Sequence, residues 1–309
     1  MAFSLGGLTA YVNEHKLPLI TATLFGSKTG SIFTPQTGIK SSATINILAT
    51  SAQFKAASCT FAASGTTTVT QRVLTVAPIQ VMETLCAKDL NAYYFNTQLK
   101  PGNDATDVPF EQMYSELKAD AIAKQLEIAY WQGVTTSWDA NLKQFNGYIS
   151  LLDTAAASVN GNPTNITTGT GIIAANVIGI FDGVYGLIPA QILRQSDVAI
   201  FCGTDVFRIW AAKIVSTNLY SYNGQSDSSF ELTLPGTNVK VIGLDGLTGT
   251  SRIFAGRKSN FYIGVDLLSE EEQFMLMPDQ YGLSLNFLAD FKVGVQVAFP
   301  SEIVSFKLV

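Results

Sequence analysis

Histidine is almost missing from this chain: there is one, His15, in 309 residues. A Ser-His-Asp or Cys-His nucleophile would have that single candidate base, in an irregular N-terminal stretch. Cysteine is nearly as scarce. Cys59, Cys86 and Cys202 lie far apart with no CxxC pair. Neither a disulfide framework nor a close-paired zinc site is available to them, and they read as three reduced thiols. Charge is also thin, at 14% of residues, against about 25% in an ordinary soluble domain. Either the surface is Ser/Thr-rich, or neighbouring subunits cover much of it. Long apolar runs are absent too: no window of about 18 apolar residues predicts a membrane-spanning helix. The N-terminus lacks a basic lead and apolar core, so no signal peptide is expected, and the Asn165-Ile166-Thr167 sequon reads as chance.

Chemical motifs are equally sparse. There is no GxxxxGK[ST] phosphate loop, and Gly169-Thr170-Gly171 only imitates the opening of a dinucleotide fingerprint. Calcium loops of the DxDxDG type are missing. With a pI near 4.9 and Arg257-Lys258 as the one adjacent basic pair, nothing forms the electrostatic footprint of a nucleic-acid reader. A glycosidase needs only two carboxylates, so Glu270, Glu271 and Glu272 are the densest candidates, yet such a run after a strand reads as a solvated turn. Asp104, Asp107 and Glu111 are close in sequence, but the latter two suit a helix start. The expectation is no catalytic residue, no cofactor and no metal.

What is present supports a large fold. Apolar residues make up 47% of the chain, enough for a sizeable core. Residues 1–82 carry one acid against five bases, a balance of +4, and the remainder balances at −9, summing to the net −5. A basic arm on an acidic body favours head-to-tail contacts between copies. Residues 1–30 read as an arm broken by glycine and proline. Residues 31–82 alternate weakly, and Ser64-Gly65 between CTFAA and TTTVTQRVLTV predicts a long β-hairpin, which is marginal alone and needs a surface to lie on. The clearest helix spans 107–132, with Asp107 as cap, Pro109 in the first turn and Gly133 at its end. Its stripe runs Phe110, Met113, Leu117, Ala121, then Ile122, Leu126, Ala129, Tyr130. From 145 to 250 the pattern is α/β: a helix within AANVIGIFDGVYGLI, a buried strand DVAIFCG, a helix capped by Thr204, and a strand in TNVKVIGLDG.

The segments RIFAGRKSNFYIGVDL, PGTNVKVIGLDGL and FKVGVQVAFPSEIV, with ILRQSDVAIFCGTDVFR before them, resemble major capsid proteins of tailed bacteriophages, most closely those of crAss-like and related Bacteroidetes phages. The resemblance follows element order over most of the chain. It implies an α+β Hong Kong 97-type capsid fold with an N-terminal arm (1–30), an extended β-hairpin loop (31–82), a peripheral domain (83–150) with its long spine helix at 107–132, an axial α/β domain (151–250), and strands returning to the peripheral domain (251–309). By the same resemblance, copies would form pentamers and hexamers of an icosahedral shell around double-stranded DNA, in the virion and, during assembly, in host cytoplasm. Portal, scaffolding and minor capsid proteins are expected partners, with packaged DNA touched without sequence readout and no membrane.

The basic hairpin residues Lys40, Lys55 and Arg72 are the expected contacts to an acidic patch on an adjacent subunit, Glu270, Glu271 and Glu272 being the candidate. No long helical leader precedes the arm, so scaffolding is expected from a separate protein, and no Lys–Asn cross-link pair can be matched. Competing readings are an encapsulin-like nanocompartment shell, a tail-tube protein, and a carboxylate-based polysaccharide hydrolase.

Overall fold

A computed structural model describes residues 16–57, 59, 64–86, 110–155, 158–162, 166–167, 169–217, 230–266, 273–279 and 284–308. Two sheets and one long helix organise them. The chain enters through helices α1 (Lys16–Phe25) and α2 (Lys28–Ile32) and strand β1 (Thr34–Gln36), then runs out and back along a ribbon of β2 (Ser42–Ser51) and β3 (Thr66–Thr75). Strand β4 (Ala77–Cys86) follows, then helix α3 (Phe110–Gln132), 23 residues or about 34 Å long. Beyond it come α4 (Tyr148–Thr154), β5 (Val159–Asn160), α5 (Val177–Gly186), α6 (Ala190–Leu193), β6 (Val198–Gly203), α7 (Thr204–Ser216), β7 (Glu231–Thr233) and β8 (Lys240–Leu244). The last strands are β9 (Ile253–Arg257), β10 (Phe261–Val265), β11 (Gln273–Pro278), β12 (Ser284–Val297) and β13 (Val304–Phe306).

Strand β12 anchors the five-stranded sheet. Its alternating residues Leu285, Phe287, Ala289, Phe291, Val293, Val295 and Val297 are all buried, the period-2 pattern of a strand with one face on a core. On one side it pairs antiparallel with β4, and on the other with β11 and then β10, which β1 joins in parallel. Helices α1, α3 and α4 supply the facing layer through Leu19, Leu24, Ile122, Leu126, Tyr130 and Tyr148.

The six-stranded sheet runs β5-β13-β9-β6-β8-β7, and its strand β6 is buried at every position. Both faces are therefore covered, and the alternation divides them. Ala199 and Phe201 join the core shared with the first sheet, while Val198, Ile200 and Cys202 face α5 and α7. Burial of Cys202 pushes its thiol well above the usual range. Aromatic rings join the two sheets. Phe33 stacks on Phe261 at 4.5 Å and meets Phe201 edge-on at 5.2 Å, and Trp131 packs on Phe254 at 5.5 Å. Such pairs add about 0.5–1.5 kcal/mol each beyond area burial.

Several sequence expectations change. The ribbon exists, but β3 pairs with Ser42–Ser51, not with CTFAA. The alternating apolar residues of SATINILAT match those of β3, whereas most of CTFAA lies outside the described residues. The ribbon is also narrower than 31–82, because Thr34–Gln36 and Ala77–Cys86 belong to the main sheet. Leu117 and Ala121 are exposed, while Tyr114, Ser115, Ala119 and Ala123 are buried; the buried face of α3 is rotated from the predicted stripe over its first half. Asp107 and Pro109 lie outside the described residues. The residue flanking α7 is Gly203, without a side-chain cap, since the Thr204 hydroxyl pairs instead with that of Thr248 at 2.7 Å. Finally, RIFAGRKSNFYIGVDL is not one strand pair. Its first strand, β9, joins the six-stranded sheet and its second, β10, the five-stranded one, so the return segment serves both sheets.

Candidate assembly surfaces

The ribbon is the least self-sufficient element. Each strand has ten residues, about 33 Å. Register places Thr44, Asn46, Leu48 and Thr50 opposite Val73, Gln71, Val69 and Thr67 on one face, and all eight are exposed. Leu48 and Val69 form a directly opposed apolar pair, 67% and 64% exposed. Polar ladders bracket them: Gln71 Nε2 donates to Asn46 Oδ1 at 3.0 Å, and the Thr50 and Thr67 hydroxyls pair at 2.8 Å. These cross-strand bonds fix the register. The connection beyond carries Phe54, 98% exposed.

The root of the ribbon is held firmly. Leu74, fully buried, packs with Ile39 and Val76 against Tyr262. Gln296 Nε2 donates to the Val73 carbonyl at 2.7 Å, and Val76 N–H to that of Ser41 at 3.0 Å. At Gly294 a Cβ would stand 2.1 Å from the Thr75 carbonyl oxygen, so only glycine lets β12 approach the turn from ribbon to sheet. The outcome is a fixed base and a long arm with one face bare, while Ile47 is buried on the other.

The predicted cations are spread along that arm. Lys40 is exposed at the root, Arg72 is half-buried opposite Ile45, and Lys55 is exposed in the distal connection. Glu270, Glu271 and Glu272, like His15, lie outside the described residues. Register puts Arg72 six residues from the outer end of β3, roughly 20 Å, so the three bases line an edge and do not make one cluster.

Sequence reasoning missed a second feature, the seam that holds the N-terminal segment. Glu127, 4% exposed, accepts the Thr29 N–H at 2.8 Å and the Thr29 hydroxyl at 2.5 Å. Trp131 Nε1 donates to that same hydroxyl at 2.9 Å, and Lys28 Nζ reaches the Gly243 carbonyl at 3.2 Å. Desolvation dominates and raises the Glu127 carboxyl above its ordinary value, against the hydrogen bonds from Thr29, Ser27 and Gly246. A charged residue inside the apolar run Leu126-Glu127-Ala129-Tyr130 was the available signal. Among the described residues no group of three or more His, Cys, Asp or Glu could hold a metal, and no helix is long and apolar enough to cross a membrane. A second buried acid among the described residues, Asp266, pairs with Lys292 at 3.5 Å.

No protein-family model matches this chain, and no curated protein matches its sequence. Solved structures do match its fold. A chain of the satellite phage P4 procapsid is 12% identical with a TM-score of 0.61, over 94% of this chain and 90% of that one. A Microbacterium phage Oxtober96 chain is 15% identical at 0.57, over 92% and 91%. A chain from the capsid of Myoviridae phage XM1 is 15% identical at 0.53, over 90% of each. The α+β arrangement seen here is thus the fold of phage capsid chains, shared nearly end to end.

Proposed function

We propose that this protein is the major capsid protein of a tailed bacteriophage, a structural subunit and not an enzyme. The observation that carries the reading is the full-length fold match joined to a ribbon one whole face of which, from Thr44 to Thr50 and from Val73 to Thr67, is exposed on its own subunit. A two-stranded ribbon is marginal in water; one kept through 20 paired residues makes sense where a neighbour covers it.

On this reading the five-stranded sheet with α3 is the peripheral domain and the six-stranded sheet with α5–α7 the axial domain. Copies form pentamers and hexamers that close into an icosahedral shell around double-stranded DNA. Lys40, Lys55 and Arg72 then meet an acidic patch on the adjacent copy, with Glu270, Glu271 and Glu272 as the candidate. Many small repeated contacts stabilise such a shell. Portal, scaffolding and minor capsid proteins would complete it, the location being the virion and, during assembly, the host cytoplasm. The wording of FKVGVQVAFPSEIV supports kinship with crAss-like and related phages.

Negative-stain microscopy of the purified protein, beside its mass in solution, tests the reading. Closed shells, or rings of five and six, are expected. Stacked tubes would turn the assignment to a tail protein, and a monomer that stays monomeric with scaffold supplied would remove it.

A further inference from the structure

Three distant parts of the chain meet at one carboxylate. Glu127 lies on α3, Ser27 and Thr29 come from the N-terminal segment, and Gly246 comes from the turn after β8. Thr29 and Trp131 are fully buried there. A Cβ on Gly246 would stand 2.2 Å from the Glu127 carbonyl oxygen and 2.5 Å from Trp131 Cδ1, so the turn presses directly on the helix. Gln132 Nε2 also donates to the Gly246 carbonyl at 2.8 Å. The six-stranded sheet is therefore clamped to α3 by contacts that do not need the carboxylate.

The N-terminal segment is held differently on the two sides of Phe33. Phe33 is buried against the rings of Trp131, Tyr148, Phe201 and Phe261, at 5.8, 5.5, 5.2 and 4.5 Å, and β1 follows it into the sheet. Before it, α1 and α2 have ten and five residues, too few to persist in water without a surface. Leu19, Ile20 and Leu24 share a core with Ile122, Leu126 and Tyr130 of α3. Polar ties gather at the seam. Thr29 donates twice to Glu127, Trp131 Nε1 donates to the Thr29 hydroxyl, and the Tyr130 hydroxyl donates to the Leu24 carbonyl at 3.2 Å. Lys28 Nζ donates to the Gly243 carbonyl. Short elements held in this way are the ones that open locally, before the whole fold does.

The groups around the seam fix how it responds to protons. Burial dominates at Glu127 and raises its carboxyl above the ordinary value, against the hydrogen bonds it accepts. Lys28 of α2 faces it, and burial lowers that amine. Asp245 of the turn after β8, Glu231 of β7 and the Cys202 thiol of β6 surround Lys28. Tyr130 of α3 and Tyr148 of α4 face Glu127 from the helix side. An ionised Glu127 thus lacks hydration that an open segment restores.

We infer that Glu127 is a pH-operated latch on the N-terminal segment. Protonated, it keeps residues 16–32 seated on α3. Ionised, it lets them detach as far as Phe33 while both sheets stay folded. The inference is independent of the assembly reading and is tested on the full-length subunit.

The experiment is hydrogen exchange read by mass spectrometry, as protection factors of segment 16–32, β6 and β12 from pH 4.5, the ordinary carboxyl value, upward. The segment should be less protected than either strand at every pH. One proton governs its opening, so its protection should fall by up to about tenfold per pH unit above 4.5 and level off beyond the raised value. Glu127→Gln should leave protection low and without that slope. Thr29→Val removes a hydrogen bond that favours the ionised carboxyl, so the levelling point should move to higher pH; this variant decides the case if Glu127→Gln does not fold. Segment protection equal to that of the strands overturns the inference, because the segment then opens only with the whole fold. A flat wild-type profile, a slope retained by Glu127→Gln, or a levelling point unmoved by Thr29→Val overturns it too.

Discussion

Thr29 gives both its backbone N–H and its hydroxyl to one carboxylate, that of Glu127 on the long helix, at 2.8 and 2.5 Å. Through this pair a segment entering from the N-terminus is fastened to an element ninety-eight residues later. Glutamine keeps one acceptor oxygen for these two donors, so Glu127→Gln either sets its NH₂ against the Thr29 N–H or forces the Thr29 hydroxyl, which already accepts from Trp131, to turn round. We predict that it costs about 1–3 kcal/mol, and that Glu127→Ala costs at least as much, as a lower denaturation midpoint at unchanged slope.

The same carboxylate gives a pH dependence of definite sign. Its folded-state value lies above the ordinary 4.5, with burial the leading cause. The folded protein therefore binds this proton more tightly than the unfolded chain, and stability rises as pH falls through the window between the raised value and 4.5. Lys28, lowered by its own burial, faces the site, as do Asp245, Tyr130 and Tyr148. Wild type should gain on Glu127→Gln as pH is lowered through that window in thermal melts. A constant gap between the two would contradict the assignment.

Cysteine reactivity follows burial. Cys59 and Cys86 are exposed, while Cys202 is fully buried with its thiol pushed far up. Since the thiolate is the reactive form, a thiol reagent should modify two groups quickly in the native protein and the third only on unfolding. Stoichiometry by mass spectrometry reads this directly.

Gly294→Ala places a Cβ against the Thr75 carbonyl oxygen, a backbone atom that can yield only by moving the ribbon root. Strain of about 1–3 kcal/mol is expected. Cleavage by trypsin after Lys55 and Arg72 should accelerate while cleavage after Lys118, at the inner face of the sheet, does not.

Reversing the two exposed charges, Lys40 and Lys55 to Glu, should change the subunit's stability by no more than about 0.5 kcal/mol each, as surface changes do, and Arg72→Glu, at a half-buried position, by more. Assembly followed by light scattering should slow strongly at low salt, with the difference shrinking as salt screens it. Unchanged assembly at low salt would remove the proposed ion pairs.

The parts legible in the sequence were those set by local pattern. Val198–Gly203 announces a buried strand, and FKVGVQV announces the end of a strand that the structure begins at Ser284. Sheet membership was harder, because Ile253–Arg257 and Phe261–Val265 look alike as apolar runs, and a three-residue turn sends them to different sheets. The long helix shows the same limit. Tyr114 and Ser115 face inward while Leu117 stays out, since packing of Tyr114 on Phe287 sets the rotation. The seam at Glu127 needed tertiary information, because its partner Thr29 sits in a stretch that reads as an irregular arm. The ribbon was visible from its Ser, Thr and Val content, but its pairing partner was not, as several neighbouring segments share that weak alternation.

If this chain is a shell subunit, a neighbour completes its ribbon. A cryo-electron microscopy reconstruction of the assembled protein tests it most directly. We expect a closed shell with five- and six-fold clusters in which the exposed ribbon face, with Leu48 and Val69, lies against an adjacent copy. A particle in which the ribbon folds back onto its own subunit, or stays free in solvent, would contradict it.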